Sequence, residues 1–415
     1  MKNSKIFIQI ASYRDPQLLP TIRDCIKNAK HPENLVFAIC WQRDETESLE
    51  EFANDERFRI IDVPHMESRG ACWARNKIQQ LYKSEKYTLQ LDSHHRFIKN
   101  WDEELISMLE NLRKKGHKKP LLTSYIPSFD PDNDPEKRVQ APWKMDFDRF
   151  IPQGAVFFLP STIENWQQLT EPIPARFYSA HFCFTVGRFA REVQHDPEYY
   201  FHGEEISIAV RAYTHGYDLF HPHKVIAWHE YTRKGRTKHW DDVKDWGDLN
   251  AKCHKKNRIL FGMDGENPKS IDFGKYGFGT KRSLEDYERY AGISFSKRAV
   301  QKYTKDNHIA PNPVIENKEE YEKSFLSIFK HCIDIGYHQV PEKDYDFWAV
   351  IFKDEDDKDL YRKDAVPDEI TMMKNDPDKY CKLWREFHTE KPPKKWIVWP
   401  HSLSKGWCDM IQGVL

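Results

Sequence analysis

The chain has 415 residues, 39% hydrophobic and 14% aromatic, a composition that excludes a disordered tail and suffices for a large core and more than one domain. A formal net charge of -1 excludes a global electrostatic drive toward nucleic acid or an anionic membrane surface. No apolar run is long enough to span a bilayer, the N-terminal run lacks the pattern of a secretory signal, and the eight scattered cysteines form no CxxC pair; together these predict buried thiols in a reducing cytoplasm.

In chain order, "KIFIQIAS" reads as a strand that ends in the turn "SYRDP", and "LLPTIRDCIKNAK" as a helix with Leu19, Ile22 and Ile26 on one face. "NLVFAICWQ" and "FRIIDVP" are further strands, "GACWARNKIQQLYKSE" a helix, and "YTLQLD" a fourth strand. Such alternation predicts an α/β fold, a mostly parallel sheet with helices on both faces. In these sheets ligands bind beyond the carboxyl ends of the strands, which here are residues 12–15, 42–44 and 92–95. Residues 120–174 read as irregular connections with short strands such as "GAVFFLP", followed by the helix "GEEISIAVRAYTHG" and the strands "DLFHP" and "KVIAWHEY". From about residue 300 the alternation gives way to short β-like runs between charged turns. The expected organisation is an α/β domain over 1–298, a connector over 299–325 with helical character, and a small, mostly β accessory domain over 326–415.

Four stretches carry chemistry. Asp92 and His94 follow an apolar strand at i and i+2, which places both on one face of an extended chain. Oxygen plus nitrogen suits Mn²⁺, Zn²⁺ or Fe²⁺; the bland reading is a surface turn or cap. Ser93 and His95 take the opposite side, so His95 receives a supporting role. In "FHGEEIS" Gly203 precedes Glu204 and Glu205 in a first helical turn, where acids serve as caps or face a polar substrate. "VIAWHEYTR" delivers His229 at a strand end, to complete a site with Asp92 and His94, and Arg233 four residues on to meet an anion. "ESRGACWARN" gathers Arg69, Gly70 and Arg75 at a helix start, an anion-favouring place or a solvated basic face.

Together, "SYRD", "RGACWARN", "LQLDSHHRF", "FYSAHFCF", "FHGEEISIAVRAYTHGYDLFHP", "WHEYTR" and "KYGFGTKRSLEDYERYAGI" resemble, over about residues 5–295, the UDP-GlcNAc:polypeptide α-N-acetylglucosaminyltransferases, which include cytoplasmic enzymes that modify hydroxyproline. The D-x-H form also resembles that of the polypeptide N-acetylgalactosaminyltransferases. The resemblance implies a GT-A fold with a Rossmann-like mixed sheet and a retaining, metal-dependent transfer from a UDP-sugar, UDP-GlcNAc first, to a protein or glycan hydroxyl. It implies Asp92, His94 and His229 as ligands of Mn²⁺ or another divalent cation. It implies Ser12, Tyr13 and Arg14 as the first nucleotide loop, Arg233 as a diphosphate contact, and Glu204 and Glu205 as the acidic pair beside the donor sugar. Ala180 and His181 fall in the segment that lines the sugar pocket, where His181 is bulkier than the small residue expected. Two other readings are a metal-dependent hydrolase using His221, His223 and His229, and a glycan-binding protein suggested by the aromatic C-terminal region with Trp396, Trp399 and Trp407.

Overall fold

In the computed structural model, residues 4–233, 235–375 and 379–415 are described. The chain divides into two compact units, Met1–Arg298 with Tyr303–Val314, and Ala299–Lys302 with Ile315–Leu415. The segment 299–325, expected as a connector, is thus shared between them, and it contains the helix Lys318–Lys323.

The first unit is built on an eight-stranded sheet. Its strands, named in chain order, are β1 (Ile6–Tyr13), β2 (Leu35–Arg43), β3 (Phe58–Pro64), β4 (Tyr87–Asp92), β6 (Pro120–Thr123), β9 (Ile173–Pro174), β10 (Phe182–Val186) and β11 (Asp218–His221). They lie in the order β3-β2-β1-β4-β10-β6-β11-β9. β1 pairs in parallel with β2 and β4, and β2 with β3, whereas β10 runs antiparallel between β4 and β6. The sheet is therefore the mixed one that a GT-A fold implies, not the mostly parallel one that alternation alone predicts. Periodicity carries no strand direction, which is why the reversal of β10 was invisible.

The near-continuous apolar strands are explained by burial on both faces. Ile8, Ile10, Phe37, Ile39 and Leu89 pack with α1 (Leu18–Asn28) and α3 (Trp101–Lys114) on one side. Phe7, Val36, Ala38 and Cys40 pack with Ala74 and Ile78 of α2 (Ala71–Gln79) on the other. Within this core lies a small polar group. Gln9 stands opposite Gln90, its Nε2 donating to Thr88 Oγ1 (2.8 Å), while Gln90 Nε2 donates to the Ala180 carbonyl (2.7 Å).

Two small sheets complete the site's surroundings. β5 (His95–Phe97) pairs antiparallel with β12 (Ala227–His229), placing His95 opposite His229, and β7 (Trp143–Phe150) forms a hairpin with β8 (Val156–Thr162). The short helix α4 (Phe189–Glu192), α5 (Glu204–Thr214), α6 (His239–Asp242) and α7 (Trp246–Phe261) follow. No helix among the described residues is long and apolar enough to cross a membrane, and no disulfide is formed.

The second unit is mostly β. Ser327–Gly336 pairs with Tyr380–Thr389. A five-stranded sheet combines Asp359–Arg362, Tyr345–Lys353, Lys395–Ser402, Gly406–Trp407 and Ile411–Val414. Trp348, fully buried, anchors its core with Val350, Phe352, Leu383 and Val398. Trp407 is exposed, while Trp396 and Trp399 are half-buried.

Candidate active site

The site forms where β4 ends. β10 enters the sheet with Phe182 opposite Leu91, so Ala180 and His181 arrive beside Asp92. The expected extended geometry stops at Asp92 itself: the chain bends at Ser93, and Thr21 holds the bend by donating Oγ1–H to the Ser93 carbonyl (2.9 Å) and accepting from the His95 N–H (2.8 Å). His94 therefore joins Asp92 through a turn, not through strand periodicity.

Asp92, His94 and His229 bring one ligand atom each within 4.8 Å of one another. Asp92 Oδ2 lies 3.8 Å from His94 Nε2 and 3.5 Å from His229 Nε2. Both ring nitrogens of His229 are buried; Nδ1 has no hydrogen-bond partner and Nε2 has only the long 3.5 Å contact to Asp92, an unfavourable state for a polar ring unless something binds there. Burial, with His181 and His94 beside it, holds His229 well below the ordinary histidine range, so it is neutral and ready to donate a lone pair. His94 Nδ1 sits 2.8 Å from Asp15 Oδ2, the kind of carboxylate–imidazole contact that turns the other nitrogen toward a metal. Burial works against the Asp15 charge, but His94, Arg236 and Ser93 hold its carboxyl below the usual range. The donor set, one carboxylate and two imidazoles, fits a first-row divalent cation such as Mn²⁺. Arg236 Nη1 also lies 3.0 Å from His94 Nε2, so a cation ligated there requires this guanidinium to turn aside.

His95 does not join the triad. It is fully buried, its Nδ1 donates to the Asp92 carbonyl (3.0 Å), and its ring lies 5.0 Å from that of His229. His181 stacks on His229 with centroids 4.2 Å apart, and its Nε2 accepts from the Ile126 N–H (3.3 Å).

A cavity of about 360 Å³ opens beside this triad, lined by Ala180, His181, Glu205, Tyr231 and Arg233, with Phe157 and Phe158 of β8. Glu205 accepts from the Tyr125 hydroxyl (2.7 Å) and the Ala180 N–H (2.9 Å). Burial pushes it up to about 7 against those two donors. Glu204 reaches the same wall but is engaged elsewhere: Oε1 accepts from Arg75 Nη1 (2.6 Å) and Oε2 from the Cys72 thiol. Gly203, at φ 97°, begins α5 where a Cβ would meet the Asn257 side chain at 3.3 Å.

A second cavity of about 190 Å³ shares Asp92, His229, Tyr231 and Arg233 with the first and extends to Tyr13, Arg236 and Trp240. Tyr13 and Arg14 both donate to Asp242 Oδ2 (2.6 and 2.9 Å), and Ser12 is buried, its carbonyl accepting from Gln42 Nε2 (2.9 Å). Arg233 places its guanidinium over Trp240, 5.3 Å from the ring centre. Arg69 is not brought to this centre; it is exposed and lines a separate cavity of about 1120 Å³ with Tyr200 and Lys252. Cys72, His195 and Glu204 form a second close group, but Arg75 holds Glu204, and burial raises the Cys72 thiol well above its usual value, so the group reads as a hydrogen-bonded support. His221 is committed to the Thr123 carbonyl (2.7 Å) and the Met145 N–H (3.4 Å), which removes it as a zinc ligand alongside His229.

Sequence reasoning placed Asp15 at a strand end without giving it a role, and missed Tyr125, Tyr231, Arg236 and Asp242. Asp15, Tyr231 and Arg236 lie within or beside the quoted motifs, as part of "SYRDP", "WHEY" and the basic run that continues from Arg233. Tyr125 and Asp242 carry no local signal.

A family model described as "Glycosyltransferase (GlcNAc)" matches residues 5–54 and 47–297. No curated protein matches. Among solved structures, the crystal structure of GalNAc-T7 with UDP, GalNAc and Mn²⁺ is similar at 14% identity over 69% of this chain and 56% of its own, with a TM-score of 0.47. S. aureus TarS 1-349 in complex with UDP-GlcNAc is similar at 11% identity over 59% of this chain and 64% of its own, with a TM-score of 0.37. This chain thus spans about half to two thirds of the length of these two proteins.

Proposed function

The chain belongs to the glycosyltransferase (GlcNAc) family, and from that premise we propose that it is a retaining, metal-dependent enzyme that moves GlcNAc, or a related N-acetylhexosamine or hexose, from a UDP-sugar to a hydroxyl on a protein or glycan. The observation that carries the reading is the convergence of Asp92, His94 and the weakly held His229 on one point between two cavities. When bound there, Mn²⁺ supplies Lewis-acid stabilisation of charge on the departing diphosphate.

The chain's own residues supply the rest. Arg233 and Arg236 offer guanidinium forks to phosphate oxygens on the side of the smaller cavity. The loop of Ser12, Tyr13 and Arg14 borders the nucleotide side. Glu205, held by Tyr125 and the Ala180 N–H, accepts from a hydroxyl of the donor sugar. His181 and the β8 phenylalanines narrow the larger cavity and set the size of sugar it takes. Retention follows a front-face course, in which the leaving phosphate oxygen takes the acceptor proton, so neither Glu204 nor Glu205 acts as a nucleophile. The second unit serves acceptor engagement or assembly, and the working compartment is the cytoplasm.

A screen of nucleotide sugars for UDP release tests this. Turnover of UDP-GlcNAc that needs Mn²⁺ and stops in EDTA is expected, with UDP-GalNAc or another UDP-hexose next. Tighter binding of a GDP- or CMP-sugar than of every UDP-sugar overturns the donor assignment. Acceptor identification by mass spectrometry then separates protein from glycan targets.

A further inference from the structure

Glu204 and Glu205 are adjacent in sequence but face different partners. Glu205 is held by Tyr125 and Ala180 at the larger cavity, whereas Glu204 is turned toward α2. Arg75 Nη1 donates to Glu204 Oε1 (2.6 Å), and Nη2 of the same guanidinium donates to Asp92 Oδ1 (2.8 Å). Glu204 Oε2 is held by the Cys72 thiol, with His195 Nδ1 3.6 Å away. Arg75 is 5% exposed, so little water competes for its fork. With Oδ1 occupied, Asp92 presents Oδ2 to His94 and His229.

We propose that Glu204 is a positioning residue for the metal ligand Asp92, acting through Arg75, and that Glu205 alone contacts the donor sugar. This rests on the metal-dependent reading above. Two effects follow from the geometry. The rigid fork fixes the rotation of the Asp92 carboxylate, which decides the oxygen that faces the cation. The row Glu204–Arg75–Asp92 also carries a net charge of about -1 with both acids ionised, so Asp92 attracts a cation although it is already paired. Removing the Glu204 charge leaves Arg75 to neutralise Asp92 alone, and cation binding weakens.

The test measures Mn²⁺ affinity on the full chain by electron paramagnetic resonance of the free ion, with thermal melting as the check on folding. Glu204→Gln keeps the shape of the side chain and is expected to weaken Mn²⁺ binding about 10- to 100-fold, the range for partners that orient a metal ligand. Glu205→Gln is expected to leave Mn²⁺ affinity within about twofold of wild type while raising the KM for the UDP-sugar. Cys72→Ala, which frees Glu204 Oε2 and leaves the carboxylate charged, is expected to weaken Mn²⁺ binding in the same direction by less, and it decides the matter if Glu204→Gln does not fold. Unchanged Mn²⁺ affinity in a folded Glu204→Gln protein, or equal losses in the Glu204 and Glu205 variants, overturns the positioning role alone. A wild-type chain that binds Mn²⁺ no better than Asp92→Ala overturns the metal site itself.

Discussion

Replacing Glu205 with glutamine separates stability from activity in a way that the structure predicts with opposite signs. Burial raises this carboxyl from an ordinary 4.5 to about 7, while Tyr125 and the Ala180 N–H pull it down. At about 1.4 kcal/mol per pH unit, the full rise is worth about 3 kcal/mol, and solvent in the open cavity reduces it to about 2 kcal/mol. Because the folded-state value lies above the unfolded one, the stabilising contribution is fully present below about pH 4.5 and is lost as pH rises through 7. Glu205→Gln should therefore melt near wild type at pH 5 and a few degrees higher at pH 8. Activity should move the other way. Tyr125 and Ala180 both donate hydrogen bonds, so they favour the ionised acid, the form that accepts from a sugar hydroxyl. Wild-type kcat/KM should rise through pH 7, whereas the variant should lack that inflection and fall about 10- to 100-fold at pH 8, the worth of a hydrogen bond to a charged group. Melting curves and initial rates from pH 5 to 8 provide the assay. A variant less stable than wild type at pH 8, or one that keeps the same inflection, refutes the reasoning.

Asp92→Ala and His229→Ala should abolish Mn²⁺-dependent UDP binding, read by calorimetry with and without EDTA, and His95→Ala should do much less because its ring lies outside the triad. Full activity of Asp92→Ala in EDTA would leave Arg75, Arg233 and Arg236 as the diphosphate clamp. Trp348→Ala should destabilise the second unit by about 3–5 kcal/mol, measured by denaturant unfolding, because the indole is wholly enclosed. Removing the chain after about residue 320 should leave UDP-sugar hydrolysis measurable in a folded product, since the proposed donor site draws on residues before 243; a folded truncation that cannot bind UDP counts against an accessory role.

Much of the candidate site's location was legible because apolar strands end abruptly in polar residues at Ser12, Gln42 and Asp92, and such punctuation survives in one sequence. What was not legible came from distant partners. The helix read through "KIQQLYKSE" stops at Gln79. Ser84 takes φ 84°, and the buried Glu85 accepts from the Lys83 N–H (2.8 Å) and Arg59 (2.6 Å), capture by tertiary contacts that local propensity does not encode. Arg69 and Arg75 looked equivalent in "ESRGACWARN"; only the packing of α2 makes one exposed and the other a buried bridge between two acids. His94 reached the triad through a bend fixed by Thr21, seventy-three residues earlier in the chain, although strand alternation had given the same pair for a different reason.

The facing amides of Gln9 and Gln90 act as a key for strand alignment. A sheet that is apolar on both faces would accept a neighbouring strand in many offsets, since each buries similar area. Sliding β1 by one residue against β4 would turn Gln9 to the opposite face and part it from Thr88, at a cost of about 1–3 kcal/mol for each polar group left unmet. The same slide would carry Asp15, which follows β1, about 3.3 Å along β4 and away from His94. His94 would then lose the carboxylate that orients its ring. A pair of neutral side chains in the middle of the core thus sets the alignment of a charged centre at its rim, and hydrophobic replacements there would endanger the proposed cation site before they endangered folding.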